Sequence, residues 1–383
     1  MMRAPSSGDN KNDAFTRQLH TGYFLYVFFL IISLTPVSYA DEFPYTYRSS
    51  YFLGRGDTGL AIADNEDAIF YNPAGIALGK GLYKKTVFAA PMLEVSQDTR
   101  DVIRKIAVED EAPTSILREH EGRPQHLGFN TFTGVILRRA ALGAFASNSS
   151  TLMLFKDPDG GSLESLYVGS TAAAGMTFSL AQDFFNQTLL VGFTGKYIMK
   201  GQANFKASAA EAESLSSINP DSLAMKGQGT GADIGVMYKI PSQYNISLGL
   251  TIQDIGNTTF TPDQKTDLSK KERPLKDNLQ TINAGIAVEP GQRASRFKFM
   301  LDLRDLENRT GNSFYRRFHL GSEITVKDIV GITVGINQGY PTFGFYTDIR
   351  VLRLDLGFYT EELDELAGRR PDNRYFFRLS AGL

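Results

Sequence analysis

The sequence feature that most constrains the fold is an alternation of apolar and polar residues that recurs along most of the chain. Clear examples are ISLGLTIQ at 246–253, FKFMLDLR at 297–304 and LRLDLGF at 352–358. Successive side chains of a β-strand point to opposite faces. Each segment therefore predicts a strand with one uniformly apolar face and an opposite face that carries charged, small and polar residues.

About fourteen such segments follow one another after residue 82, and together they predict an all-β fold. Most are about 9–13 residues long, which is the length that a tilted strand needs to cross a lipid bilayer. They lie near 83–95, 126–138, 140–155, 165–179, 187–203, 227–239, 245–255, 279–289, 296–304, 316–326, 330–337, 342–349, 351–359 and 373–383. Strands of a soluble sandwich also alternate, so the strands alone leave both folds open.

The links between the predicted strands favour a membrane-spanning antiparallel β-barrel. Counted from the first strand, odd-numbered links are mostly long and even-numbered links are mostly short, with residues 338–340 as the exception. The long links cover 96–125, 156–164, 204–226, 256–278, 305–315 and 360–372. Long loops on one side and tight turns on the other are typical of outer-membrane barrels. Closure also leaves no unpaired strand edge in lipid.

Several charged residues fall on the predicted inward face of these strands. They are Lys298, Asp302, Arg304, Glu323, Arg353, Asp355 and Arg378. Such side chains are costly against hydrocarbon, but they can pair with one another across a lumen. We expect a lumenal charge network, and we favour a structural salt-bridge ladder over a relay for substrate ions.

The N-terminus has the features of a secretory signal peptide. A polar leader precedes the apolar run GYFLYVFFLIISL at 22–34, Pro36 ends the run, and Ser38 and Ala40 have the spacing of a cleavage site. The run is shorter than the about 20 apolar residues of a membrane span, although an uncleaved anchor is the alternative. We expect residues 1–40 to be removed and the mature chain to reach a bacterial outer membrane.

The composition argues against several kinds of chemistry. The 383-residue chain contains no cysteine, which excludes disulfides and zinc–thiolate sites. Its formal net charge of −2 gives no support for nucleic-acid binding. None of its four histidines stands in a pattern that predicts a catalytic unit or a metal site. We therefore expect no enzyme activity, no metal and no cofactor.

Residues 41–81 lack the strand alternation and predict a separate domain. GRGDTG, at 54–59, fits the G-x-G-x-x-G pattern of dinucleotide-binding loops and contains the adhesion tripeptide Arg-Gly-Asp. A dinucleotide loop needs a strand before it and a helix and parallel sheet after it, which an exported all-β chain does not offer. We interpret Gly54, Gly56 and Gly59 as residues that let a compact segment fold inside a narrow barrel.

The sequence DAIFYNPAGIA, which begins at Asp67, resembles the N-terminal hatch of FadL-type outer-membrane transporters, including its Asn-Pro-Ala signature. LGLTIQDIG, GINQGYPTFGF and YTEELDELAGRRPDNRYFF resemble the diverged branch called TraF-like or PorV-like. The resemblance covers most of the mature chain. It implies a fourteen-stranded barrel at 82–383 that is plugged by a hatch at 41–81. Helical spacing of apolar residues separately predicts a helical outer loop at 96–125.

The same resemblance implies a function and partners. FadL-type barrels pass long-chain fatty acids or other hydrophobic compounds by passive diffusion, so we expect a hydrophobic small-molecule ligand and no energy source. The barrel should contact outer-membrane lipids, meet the barrel-assembly machinery during insertion, and remain a monomer. The alternative is an assembly, secretion or conjugation accessory barrel that binds protein partners and has a lumen sealed by charge pairs. A general porin is disfavoured because a plug obstructs water flow.

Two sets of residues are candidates for substrate binding. The first is the hatch motif Phe70, Tyr71, Asn72, Pro73, Ala74 and Gly75. Its Asn-Pro step and small residues predict a tight turn, which either only folds the hatch or also moves when ligand enters.

The second set lies in the outer loop, where helical spacing predicts two short helices divided at Pro113. Its apolar residues, which would capture ligand, are Ile103, Ile106, Ile116 and Leu117. Residues 207–225 predict another partly helical loop.

Overall fold

The computed structural model describes residues 45–79, 83–105, 118–156, 164–208, 225–263, 275–290, 295–364 and 367–383. Its strands are β1 (Tyr83–Ala89), β2 (Met92–Ser96), β3 (Gln125–Leu137), β4 (Ala140–Lys156), β5 (Glu164–Phe184), β6 (Leu189–Ser208), β7 (Met225–Ile240), β8 (Ile246–Gln253), β9 (Thr261–Pro262), β10 (Thr281–Val288), β11 (Ser295–Leu303), β12 (Phe318–Val326), β13 (Val330–Asn337), β14 (Tyr340–Asp348), β15 (Leu352–Glu362) and β16 (Pro371–Gly382).

The helices of the described ranges are short. They are Ser50–Leu53, Ala68–Tyr71, Gln97–Arg104, Phe314–Arg317 and the 3-10 helix Pro73–Ala77. None of these helices has the length and apolar character needed to span a lipid bilayer. Gln97–Arg104 corresponds to the first helix predicted in the outer loop. The second predicted helix and the loop predicted at 207–225 fall mostly outside the described residues.

The strands form one closed antiparallel barrel. β1 and β2 are two parts of a single strand, interrupted at Ala90 and Pro91, and both parts pair with β3 on one side and β16 on the other. Each later barrel strand pairs with the next, while the short β9 pairs only with β7. Counting β1 and β2 once and leaving out β9, the sixteen strands give a barrel of fourteen. The predicted fold class is confirmed.

The strands differ in length more than the sequence pattern indicates. β5 and β6 have 21 and 20 residues, whereas β8 and β10 have 8 each. The β5–β6 pairing is continuous from Ser165 opposite Ser208 to Phe184 opposite Leu189. β5 exceeds its predicted segment, 165–179, at the tight-turn end, whereas β6 exceeds its predicted segment, 187–203, at the long-loop end. Backbone hydrogen bonds between strands do not require alternating side chains, so the sequence pattern underestimates both strands.

The apolar side chains of the alternating segments lie on the outside of the barrel. Leu250, Phe299 and Phe377 are 45%, 51% and 48% exposed, while Met300 and Arg378, which follow two of them, are buried. A continuous apolar surface of this kind is unusual on a protein surrounded by water. It matches the outward apolar band of a barrel that crosses a membrane.

Residues 45–79, which we call the interior segment, lie inside this barrel. Most of their side chains are buried. Hydrogen bonds or ion pairs link the segment to distant parts of the wall, including Val236 in β7, Asp302 in β11 and Glu361 in β15. The main apolar cluster of the protein therefore lies between the interior segment and the barrel wall.

Candidate functional site

The glycines of GRGDTG let the interior segment touch the wall through its backbone. Gly56 has a φ of 74°, a left-handed conformation that favours glycine, and a Cβ there would lie 2.2 Å from the carbonyl oxygen of Leu320 in β12. A Cβ on Gly54 would lie 2.7 Å from the Cα of Gly344 in β14. Arg55 and Asp57 are fully buried, so the adhesion tripeptide is not accessible to a protein partner.

Ion pairs, all of them buried except Glu66–Lys85, join the interior segment to one side of the barrel. They are Arg48–Glu361 (2.6 Å), Arg55–Glu323, Asp57–Arg304 (3.0 Å), Glu66–Lys85 (3.2 Å), Glu66–Arg378 (3.0 Å) and Asp67–Arg378 (3.6 Å). Their wall partners lie on β1, β12, β15 and β16 and directly after β11. We call the continuous part of the wall from β11 through β16 to β1 the charged side. Loss of one partner there would leave a buried charge uncompensated.

Glu66 is the carboxylate that two wall cations share. Lys85 and Arg378 both contact it, and its side chain is 3% exposed. Burial by itself would raise the pKa of the Glu66 carboxyl, but the two cations lower that pKa to about 2. Glu66 therefore stays ionised at neutral pH, and the pair with each cation persists.

Two ion pairs between residues of the predicted lumenal set lie within the wall itself. Lys298 in β11 approaches Glu323 in β12 at 3.5 Å, and Arg353 and Asp355, both in β15, approach each other at 2.7 Å. Lys298 and Glu323 also face each other in the strand register. Both pairs therefore join residues of the wall to one another.

The other lumenal charges bind the interior segment, which the sequence does not predict. Asp302 accepts hydrogen bonds from the backbone amides of Gly59 and Leu60, at 2.7 and 3.1 Å. Arg304 and Arg378 form the ion pairs with the segment described above. The sequence offers no signal for these contacts, because residues more than 200 positions apart are brought together only when the segment enters the barrel.

The hatch motif Phe70–Gly75 forms a buried turn in the interior segment. Asn72 lies at its centre: its Oδ1 accepts a hydrogen bond from the Ala74 amide at 3.1 Å and caps the 3-10 helix Pro73–Ala77. Its Nδ2 donates to the carbonyl oxygens of Leu60 at 2.6 Å and Val236 in β7 at 3.2 Å. The side chain thus joins two parts of the segment to the wall.

This turn packs against glycines of the barrel wall. A Cβ on Gly192 in β6 would lie 2.2 Å from the Pro73 carbonyl carbon, and a Cβ on Gly235 in β7 would lie 2.1 Å from Asn72 Oδ1. Gly192 and Gly235 are directly opposite each other in the β6–β7 register. The wall has no side chain where the turn docks. Glycine at inward positions of both strands is the sequence signal for this docking surface, and the sequence-based prediction does not include it.

On the rest of the barrel, and at β1 where it adjoins the charged side, the interior segment packs against apolar residues. This cluster, which we call the apolar seam, includes the wall residues Val87, Ala90, Phe132, Ile136, Ala141, Phe145, Ala181, Leu190, Ile198 and Met237, with Phe260 and Leu275 in the link after β8. Phe260 and Leu275 lie toward the long-loop end, whereas Ala141, Ala181 and Leu190 lie beside the tight turns. The seam therefore extends along the barrel from one end to the other.

Aromatic rings form the middle of the apolar seam. Phe70 of the hatch motif stacks on Tyr47 with ring centroids 4.3 Å apart, and it meets Phe132 and Phe145 edge-on at 6.0 and 5.4 Å. Asn130 donates a hydrogen bond to the backbone of the segment here. Within the described ranges, however, the ion pairs between segment and wall all belong to the charged side.

The predicted loop residues for ligand capture are largely outside the described structure. Ile103 belongs to the helix Gln97–Arg104, but its side chain is not described. Ile106, Ile116 and Leu117 lie outside the described residues. Among the side chains that the structure does describe, no group of three or more histidines and carboxylates is arranged to hold a metal ion.

No model of a known protein family matches the chain, and no curated protein sequence matches it. Solved structures do. CymD, a monoaromatic hydrocarbon channel, matches with a TM-score of 0.51 and 12% identity over 88% of this chain and 98% of CymD. A deltaS2 mutant of the TodX monoaromatic hydrocarbon channel matches with a TM-score of 0.50 and 11% identity over 88% of this chain and 97% of TodX.

A Pseudomonas aeruginosa FadL homologue has a TM-score of 0.48 and 13% identity, over 90% of this chain and 99% of the homologue. The closed barrel of fourteen antiparallel strands and its match to CymD and TodX agree with the resemblance found in the sequence. The chain has the fold of the FadL-type outer-membrane barrels.

Proposed function

We propose that this chain is an outer-membrane channel through which hydrophobic small molecules enter by passive diffusion along the apolar seam. The observation that carries the proposal is the division of the barrel interior into two sides. Ion pairs fix the interior segment to the charged side, whereas the opposite contacts are mainly apolar and extend from the loop end to the turn end. An apolar molecule that enters the seam replaces apolar contacts with similar ones, so the hydrophobic effect opposes its entry little.

In this proposal the Phe70–Gly75 turn is the gate. Phe70 lies among the rings of the seam, and Asn72 and Pro73 occupy the space that Gly192 and Gly235 leave free. A ligand at Phe70 would have to displace this ring and the turn attached to it. The interior segment then acts as the hatch of residues 41–81, within a barrel of residues 82–383. We further propose that residues 1–40 direct export and are removed.

The names of the similar structures support a small apolar cargo. CymD and TodX are described as monoaromatic hydrocarbon channels, and their fold is the one found here. We propose the same broad class, hydrophobic small molecules, for this chain. Long-chain fatty acids are the narrower proposal, which the resemblance to FadL-type transporters supports. The proposed monomer, its lipid contacts and its insertion by the barrel-assembly machinery follow from that resemblance.

The test blocks the seam without changing the outer surface. Ala141 in β4 is buried at the turn end of the seam, while Ala144 on the same strand alternates to the outer face. Ala141→Phe and Ala144→Phe add the same side chain to the two faces. In a Gram-negative host that lacks its own channels of this kind, we expect Ala141→Phe to abolish uptake of labelled alkylbenzenes and fatty acids. Ala144→Phe should retain it.

Two results would contradict the proposal. The first is uptake by the unmodified chain no faster than in the host without it. The second is equal uptake by both variants, provided that both reach the outer membrane in equal amounts. Uptake of alkylbenzenes without fatty acids would support the broad class and reject the narrower proposal.

One observation favours a second candidate function, an accessory barrel that binds proteins. The buried ion pairs and the backbone contacts at wall glycines close the interior on the charged side, which suits a barrel sealed by charge pairs. Such a barrel would bind its assembly, secretion or conjugation partner through the long loops. Mass spectrometry of the purified barrel separates the candidates: a stable protein partner with no apolar ligand supports the accessory role.

A further inference from the structure

A small cavity lies between the interior segment and the wall, where the apolar seam and the charged side meet near the long-loop end. Its volume is about 60 Å³. Leu60, Phe70 and Tyr71 of the interior segment line one part, and Lys196, Asp233 and Asp254 of the wall line another. Phe70 and Tyr71 also belong to the apolar seam. The cavity therefore adjoins the proposed route of the cargo.

The polar part of the cavity carries two carboxylates for one ammonium group. Lys196 Nζ lies 2.8 Å from Asp233 Oδ1 and 2.9 Å from Asp254 Oδ1, and the three side chains are 4%, 2% and 13% exposed. The Asp254 amide also donates to Asp233 Oδ1, and Thr258 donates to Asp254 Oδ1. Within the described ranges, the hydrogen bonds of both carboxylates thus end on their Oδ1 atoms, which leaves acceptor capacity on Oδ2.

Arg304, which also lines the cavity, has a hydrogen-bond donor without an acceptor in the described part of the chain, whereas the two carboxylates have acceptor atoms without a donor there. Its Nη2 binds Asp57 through the side chain at 3.0 Å and through the backbone carbonyl at 2.7 Å. Its Nε is buried and has no hydrogen-bond partner among the described residues. An unmade hydrogen bond of a buried donor is unfavourable. The lining of the cavity therefore combines an unpaired donor with carboxylates that can accept further bonds.

A hydroxyl group satisfies both requirements because it donates one hydrogen bond and accepts others. A carboxylate cannot donate, and the excess negative charge of the Lys196 cluster repels it. The volume limits what enters: an apolar cavity that binds benzene measures about 150 Å³, so about 60 Å³ holds a hydroxyl but not a ring. The ring or chain of the molecule must remain on Phe70 and the seam.

We infer that this cavity binds the hydroxyl group of an otherwise apolar cargo molecule, such as an alkylphenol or a long-chain alcohol. The inference rests on the proposed function and defines its substrate class more narrowly. It sets the expected preference in the order phenol, hydrocarbon, carboxylate for ligands with the same apolar part.

The experiment measures binding of a 4-alkylphenol, the matching alkylbenzene and the matching 4-alkylbenzoate to the purified full-length barrel by calorimetry. We expect the phenol to bind about tenfold more tightly than the alkylbenzene, because a hydrogen bond to a charged group contributes that much. We expect the benzoate to bind most weakly.

Asp254→Asn makes the cluster neutral and retains its shape, so it should reduce both preferences to about twofold or less. Asp263→Asn is the matched control, because it removes the same charge from an exposed position of the same link. Circular dichroism establishes that each variant is folded. If Asp254→Asn does not fold, Asp233→Asn provides the same test.

Equal binding of the phenol and the alkylbenzene would overturn the inference and leave the proposed channel intact. An unchanged phenol preference in a folded Asp254→Asn or Asp233→Asn protein would overturn it as well. Failure of all three ligands to bind would reject both the inference and the proposed function.

Discussion

The contact between Gly235 and the hatch turn leads to the sharpest prediction. In Gly235→Ala the added Cβ would lie 2.1 Å from Asn72 Oδ1 and 2.8 Å from the Pro73 side chain. Non-bonded heavy atoms favour separations of about 3.5 Å or more, so the turn and the wall must move apart by roughly 1 Å. Asn72 cannot yield freely, because it is hydrogen-bonded to Leu60, Ala74 and Val236.

The free-energy cost of Gly235→Ala follows from the overpacking that the added methyl group causes. Insertion of a methyl group into a well-packed site costs about 1–3 kcal/mol. If the turn lifts from the wall to relieve it, the cost raises the equilibrium constant for local opening by about 5- to 150-fold. The rest of the barrel should unfold as before, because the strand pairing of β7 does not depend on a side chain at this position.

Hydrogen exchange of the purified barrel measures this opening directly. We expect the amides of residues 72–78 to exchange faster in Gly235→Ala, while those of β3 and β4 keep their rates. Gly201→Ala in β6 is the control, since a Cβ there meets no atom within 4 Å. Equal exchange at 72–78 in both variants would refute the reasoning, as would faster exchange throughout the barrel.

Three further outcomes are expected. Glu323→Gln removes the carboxylate that the buried guanidinium of Arg55 binds, so the free energy of unfolding measured by calorimetry should fall by about 3–5 kcal/mol. Asp328→Asn, at an exposed ion pair, is the control and should lower the free energy of unfolding by less than about 1 kcal/mol. Asn72→Ala removes the cap and the hydrogen bonds to Leu60 and Val236, so it should cost about 1–3 kcal/mol and raise the frequency of conductance openings in planar bilayers. Protease added to intact cells should cut the loops at 97–125 and 207–226 without disruption of the outer membrane, which mass spectrometry of the fragments would detect.

The sequence predicts the barrel well because strand alternation is a local property. Leu250 and Phe299 reveal their outward orientation through their immediate neighbours, and fourteen such segments fix the strand number. The tight turns indicate that consecutive strands are antiparallel neighbours. The pattern underestimates the length of β5 and β6, because their backbone pairing continues beyond the alternating residues, through 180–184 in β5 and 204–208 in β6. Backbone hydrogen bonds between strands do not require alternating side chains.

The site is less predictable because its contacts are not local. Arg55 and Glu323 are 268 positions apart, and nothing near either residue indicates the other. Inward charged residues can be identified from the sequence. The alternation is the same, however, whether they pair within the wall or bind an interior segment, so the sequence does not distinguish the two. Gly192 and Gly235 are an exception. Glycine at inward positions of adjacent strands indicates close backbone approach, so part of the docking surface is present in the sequence.

The two sides of the barrel also determine how the proposed gate can move. On the charged side the interior segment touches the wall through its backbone: a Cβ on Gly321 would lie 2.2 Å from the Arg55 carbonyl oxygen, and one on Gly335 would lie 2.4 Å from the Gly56 amide nitrogen. The segment has no room to shift as a rigid body toward that side, and its buried ion pairs oppose a shift away from it. The seam can therefore widen if the Phe70–Gly75 turn rearranges locally while residues 54–60 stay fixed. A stable plug and an opening gate are then compatible, because different parts of one segment serve the two roles.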